Sequence, residues 1–183
     1  MSGSFNDFLN AVETALKDQF QHVRSCEVHP GQFSMDDLSK MATQCPAFRV
    51  ALWDVGEFEP VDGGLWDTAC RFSIAVITTE ARNLPRHVAA VDLVNELALW
   101  LSGNDFNCPF AFPAQGVRAK NLFAGFSGKR VHLWEVTWTQ TLRLGESLWS
   151  EEAPVQLEVY AGNSPKIGAA HEAEYEKVEP DAQ

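Results

Sequence analysis

Four cysteines occur in 183 residues. No two of them form a CxxC pair, so Cys26, Cys45, Cys70 and Cys108 suggest neither a zinc site nor a thiol redox motif. They read instead as reduced thiols inside a cytosolic fold. No apolar run approaches the roughly 20 residues of a membrane span. Met1–Gly3 leads straight into a helical pattern, without the apolar core of a signal peptide. The expectation is a chain made and kept in a cytoplasm, with no membrane partner. Positive charge is scarce as well: 14 Lys and Arg stand against 25 Asp and Glu, a formal net charge of -11. Binding nucleic acid by neutralising phosphates needs clustered Lys and Arg, so this charge balance argues against that mode. An acidic surface remains compatible with DNA passing close by without being held.

Catalytic signatures are missing too. The sequence has no GxSxG elbow, and Gly125-Phe126-Ser127-Gly128 has neither its spacing nor a strand-to-helix context. No Walker A loop or GxGxxG is present to cradle a phosphate. His22, His29, His87, His132 and His171 are scattered, and none belongs to an HExxH pair; lone histidines are mostly satisfied structural residues. His171, Glu172 and Glu174 carry metal-ligating side chains, but in an acidic tail they read as a solvated charge run. Asp54, Glu57, Glu59 and Asp62 lack the order of an EF-hand loop and read as an exposed acidic hairpin edge. No catalytic residue, metal ligand or cofactor is assigned, and the chain is expected not to be an enzyme.

Apolar residues make up 45% of the chain, with six Trp and twelve Phe, enough for a substantial core. Phe5, Phe8, Leu9, Val12, Leu16 and Phe20 recur at helical spacing and predict an opening amphipathic helix, capped by Ser4 or Asn6. A short strand follows around residues 23–28 and ends at His29-Pro30-Gly31. Ser34-Met35-Asp36-Asp37 resembles the N-cap and acidic first turn of a second helix reaching about Thr43. Residues 48–55 and 66–79 predict a strand pair, with the Gly- and Pro-bearing stretch 56–64 as the loop between them. Pro85 opens a third helix over 87–101, apolar around most of its circumference, with Ala90, Val91, Val94, Leu97, Ala98 and Leu101 on one side and Leu93 and Trp100 nearby. Residues 117–123 read as a strand. Residues 131–142 alternate Trp134, Val136, Trp138 and Leu142 with Glu135, Thr137, Thr139 and Thr141, one face in the core and one wet. Trp53, Trp134 and Trp138 are expected in the core.

The expected architecture is α+β: a mixed, mainly antiparallel sheet with helices packed on one side, over residues 1–144. Residues 145–183 form an acidic C-terminal strand and extended arm. Nine acidic residues against two lysines give the segment from Leu144 onward a charge of -7, leaving -4 for the body. Phe106, Phe110, Phe112, Phe126, Trp149, Tyr160, Ile167 and Tyr175 lie in loops or in the arm. Taken singly they read as satellites of the core. Taken together, beside an arm too short to fold alone, they are candidates for contact with other subunits. The arm itself reads either as a clamp on a neighbour or as a solvated tail.

The order of these elements, the Val28–Phe33 turn (VHPGQF), the HVAAVDLVNELALWL helix, the Trp134–Leu144 strand and the PxIGxxHExxYxxV pattern from Pro165 to Val178 resemble Mu-like phage tail proteins, a family of virion components read as tail terminators. The similarity spans nearly the whole chain, and none of its motifs is a catalytic signature. It implies a structural virion protein that forms a homo-hexameric ring on the tail tube. Such a ring halts polymerisation of the tube protein and offers a surface to neck and connector proteins. The resemblance also implies a place at the neck-proximal end of the tail, assembly in the host cytoplasm, and phage DNA crossing the lumen without specific binding. A neck adaptor joining head to tail is the alternative, and an enzyme of unknown class a more distant one.

Overall fold

The computed structural model describes residues 3–31, 42–79, 85–122, 131–147, 159–161 and 167–178. The chain divides into two compact units, Met1–Leu148 and Trp149–Gln183.

In the first unit, α1 spans Phe5–Gln19 and is closed by a capping box. The Asp7 N–H donates to the Ser4 hydroxyl at 3.1 Å, and the Ser4 N–H donates to the Asp7 carboxylate at 3.0 Å. This satisfies donors that a helix start otherwise leaves open. Phe8, Leu9, Val12 and Leu16 are its buried stripe. The second helix, α2, spans Arg86–Leu101. The carbonyl of Pro85 accepts its first bonds, from Val88 and Ala89.

Five strands form one sheet: β1 (Ser25–Val28), β2 (Ala47–Val61), β3 (Leu65–Thr79), β4 (Gln115–Asn121) and β5 (Val131–Leu144). Their order is β1-β2-β3-β5-β4. Only β1 and β2 run parallel; the other pairs are antiparallel. Both helices pack against one face, whose core residues include Phe48, Val50, Phe72, Ile74, Val136 and Trp138. The expected α+β class, mixed and mainly antiparallel, therefore holds. Aromatic rings knit the layer together. Phe72 stacks on Trp138 with centroids 5.4 Å apart, and Phe8 meets Phe72 at 4.7 Å. The opposite face carries a smaller apolar cluster of Cys45, Ala47, Ala75, Ile77, Val131 and Leu133. This explains why the outward residues of β3 are so weakly polar in sequence.

The second helix expected from Ser34 falls outside the described residues, except for a 3-10 turn at Ala42–Gln44. The expected loop 56–64 is corrected. β2 continues to Val61, and only Asp62–Gly64 turns, with Gly63 and Gly64 at φ of 79° and 80°. Two register shifts absorb the loop-like residues, between Leu52 and Asp54 and between Val55 and Phe58. Such bulges re-aim side chains and tolerate glycine. Pro60 sits where β2 has an open outer edge, a position that accepts proline.

At Gly56 a Cβ would lie 2.7 Å from the Ala69 carbonyl oxygen. Gly56→Ala is expected to destabilise the fold by about 1–3 kcal/mol, as overpacking against backbone does. A urea unfolding series checks it, and an unchanged midpoint would remove this close approach.

All four cysteines are buried thiols. Burial pushes Cys26 up to about 12, and Cys45 and Cys70 each up to about 11, from an ordinary 9.0. A thiol whose folded pKa is raised stays protonated where the unfolded chain has lost the proton. Its contribution is intact below pH 9 and declines as pH rises from 9 toward 11. The urea midpoint is therefore expected to fall between about pH 8 and about pH 10. Thiol reagents should label the four cysteines only once the chain is unfolded. Rapid native labelling would contradict the packing.

In the second unit, β6 (Val159–Ala161) pairs antiparallel with β7 (Glu176–Val178), so the arm folds back on itself. A 3-10 turn at Ala169–Glu174 precedes β7, and the Tyr175 hydroxyl accepts the Gly168 N–H.

Candidate assembly interface

The lengths of the strands create the site. β1 accompanies β2 only from Ala47 to Val50, whereas β5 follows β3 along its whole length, from Trp66 opposite Leu144 to Thr79 opposite Val131. Beyond Val50, the outer edge of β2 has no strand partner among the described residues. The distal β2–β3 hairpin thus forms an open edge of the sheet.

Large apolar side chains collect there. Trp53 is 56% exposed, Phe58 49% and Trp66 44%, with Val55 beside them. Trp53 was expected in the core alongside Trp138. It is the unpaired residue at the first bulge, one residue out of phase with the core-facing Val50 and Leu52, and it lies on the opposite face beside Arg71. Trp134 is half-buried against the core, and its indole N–H meets no acceptor among the described residues. The hairpin also carries Asp54, Glu57, Glu59 and Asp62, all exposed. Aromatic and acidic residues therefore interleave along the hairpin, divided between its two faces.

The proposed interface aromatics divide. Phe106 is corrected: it is buried, with its ring 5.6 Å from Phe8, 5.5 Å from Trp100 and 6.2 Å from Trp138. Its φ of 57° turns the side chain inward, and the Asn104 side-chain oxygen accepts its N–H at 2.8 Å. Phe110 is half-buried against the same core. Phe112 is exposed, and the Arg143 guanidinium lies 5.1 Å from its ring centroid. Tyr160 and Ile167 are exposed in the second unit, and Tyr175 is half-buried there. Phe126 and Trp149 lie outside the described residues.

No protein-family model matches the chain, and no curated protein matches it.

Buried polar groups hold the frame behind the hairpin. Gln140 is buried on the helix-facing side of β5. It accepts the Trp138 indole N–H at 2.8 Å and donates to the carbonyls of Asn104 and Phe112 at 3.2 and 2.6 Å. One side chain thereby pins the whole loop between α2 and β4. Arg49, buried on the other face, donates to Gln44, Ser25 and the Phe48 carbonyl and lies 3.4 Å from Glu27. A buried charge persists only when paired this fully. On the hairpin's stem, Arg143 grips Asp67 through two 2.8 Å bonds. That hydrogen bonding holds the Asp67 carboxyl below its usual value and raises Arg143.

An open cleft of about 360 Å³ on the second face is lined by Trp53, Arg71, Arg118, Glu135, Thr137 and Thr139. On the helical side, the outward face of α2 exposes Val88, Val91 and Leu99. Val91 was expected on the buried stripe. The helix instead turns Ala90, Leu93, Val94, Leu97 and Leu101 inward.

The period-2 pattern of β5 already placed Gln140 in phase with Trp138 and Leu142, which could have marked it as buried. The acid–aromatic interleaving of DVGEFEP (Asp54–Pro60) was the signal for an exposed strand. The bulge that carries Gly56 within β2 leaves no comparable trace in composition.

Proposed function

We propose that this chain is a structural assembly protein, a phage tail terminator whose copies close into a hexameric ring on the tail tube. The ring stops polymerisation of the tube protein and presents a surface to the neck and connector proteins. The observation that carries this reading is the set of large apolar side chains exposed on the open-edged β2–β3 hairpin, with Val55, Phe58 and Trp66 on one face and Trp53 on the other. Contiguous exposed aromatics mark protein–protein contacts, and buried Trp and other aromatic anchors dominate their energies. The terminator assignment rests on the resemblance carried by Val28–Phe33 and Pro165–Val178. A net charge of -11 suits a ring through which DNA slides without binding.

The test begins with Trp53→Ser combined with Phe58→Ser. Subunit affinity is expected to fall by about a hundredfold, the effect of losing a hot spot of roughly 3 kcal/mol. The folded monomer's circular dichroism should stay unchanged. Rings that persist undiminished would rule out the hairpin as the contact. In an infection, loss of the protein should leave over-long tails. Complete tails detached from filled heads would instead indicate a neck adaptor.

A further inference from the structure

The two open edges of the sheet differ in charge. Along β2 from Ala51 to the turn stand Asp54, Glu57, Glu59 and Asp62, with no basic residue among them. At the far side of the sheet, β4 pairs only with β5 and carries Arg118 and Lys120, with no acidic residue. All six charged side chains are exposed, and none enters an ion pair among the described residues. In a chain with this excess of acid, a strand edge bearing only positive charge stands out. Neither edge has a strand partner on its outer side among the described residues.

We propose that copies of this chain join head to tail, with the outer edge of β2 in one copy lying along the outer edge of β4 in the next. This rests on the ring-forming reading and specifies its contact. Open strand edges are templates for pairing, and charges on them decide which edges meet. Two β2 edges would set carboxylates against carboxylates, and two β4 edges would set cations against cations. Only the unlike pairing brings opposite charges together. Val55 and Phe58 supply apolar area at that seam, and Val117 and Ala119 are the apolar residues of β4. The bulges and Pro60 confine any backbone pairing to short stretches, which leaves side chains to dominate the contact. A contact between unlike patches is heterologous, and repetition of such a contact closes into a ring when the rotation permits. Two-fold pairing would leave a dimer and no ring.

The experiment is a charge swap in the full-length chain. One variant carries Arg118→Glu and Lys120→Glu, so both of its edges are acidic. The other carries Glu57→Lys and Glu59→Lys, so both of its edges are basic there. Each alone should stay monomeric where the unaltered chain forms rings, with association weakened by about a hundredfold or more through like-charge contact. Mixed in equal amounts, the two should form rings again, alternating around the circle, because every seam then pairs acid with base. A single chain carrying all four substitutions should also assemble. Circular dichroism of each variant checks that the fold is retained. Assembly of either variant alone at unaltered affinity would overturn the edge pairing, as would a mixture that stays monomeric while the unaltered chain forms rings. Absence of rings from the unaltered chain, under any condition, would instead remove the ring reading on which the pairing rests.

Discussion

Trp138→Ala is expected to destabilise the first unit by about 3–5 kcal/mol, the range for deleting a fully buried large aromatic. The indole is 1% exposed. It stacks on Phe72, meets Phe106 at 6.2 Å and donates its N–H to Gln140. The substitution therefore opens a cavity where α1, the sheet and the loop after α2 converge. It also leaves one acceptor position of a buried amide empty. Urea unfolding followed by fluorescence and circular dichroism measures the loss. A change below about 1 kcal/mol, the size of a surface substitution, would mean that Trp138 is not the centre of the core.

Gln140→Leu is expected to cost about 2–4 kcal/mol, although it replaces a polar core residue with an apolar one of similar size. Three groups lose their partner at once: the Trp138 N–H and the carbonyls of Asn104 and Phe112. Each buried polar atom left unsatisfied carries its own desolvation cost. The loop from Asn104 to Phe112 should then exchange its amide hydrogens faster than in the unaltered chain. Because Trp138 and Gln140 are bonded to one another, Trp138→Phe and Gln140→Leu should combine non-additively. A neutral Gln140→Leu variant would show that the loop is held by its packing alone.

Elements with a sustained period were legible in the sequence. The stripe from Phe8 to Phe20 gave α1 and its buried side, and the alternation from Trp134 to Leu142 gave β5 and its faces. Elements interrupted by a local defect were not. Gly56 and Pro60 are turn residues by composition, yet a bulge carries Gly56 within β2 and Pro60 pairs in register opposite Trp66. Trp53 stands one residue out of phase with Val50 and Leu52, so the alternation of β2 itself turns it to the second face, beside Arg71. Phe106 failed in the opposite sense. A loop position says nothing about direction, and its left-handed backbone points the ring into the core. The candidate contact residues thus fall in the loops and the arm, while the larger set of exposed aromatics of the first unit lies on a strand pair. Open edges and their contrasting charges depend on strand order, which no local pattern in the chain encodes.

We propose that copies of this chain form a ring that caps a tail tube. Electron microscopy of the purified full-length chain mixed with purified phage tail tubes tests it most directly. The expected result is a six-subunit ring seated on one end of each tube, with no further addition of tube protein at the capped end. Tube ends that stay bare and continue to grow, beside a protein that remains a monomer at every concentration, would contradict it.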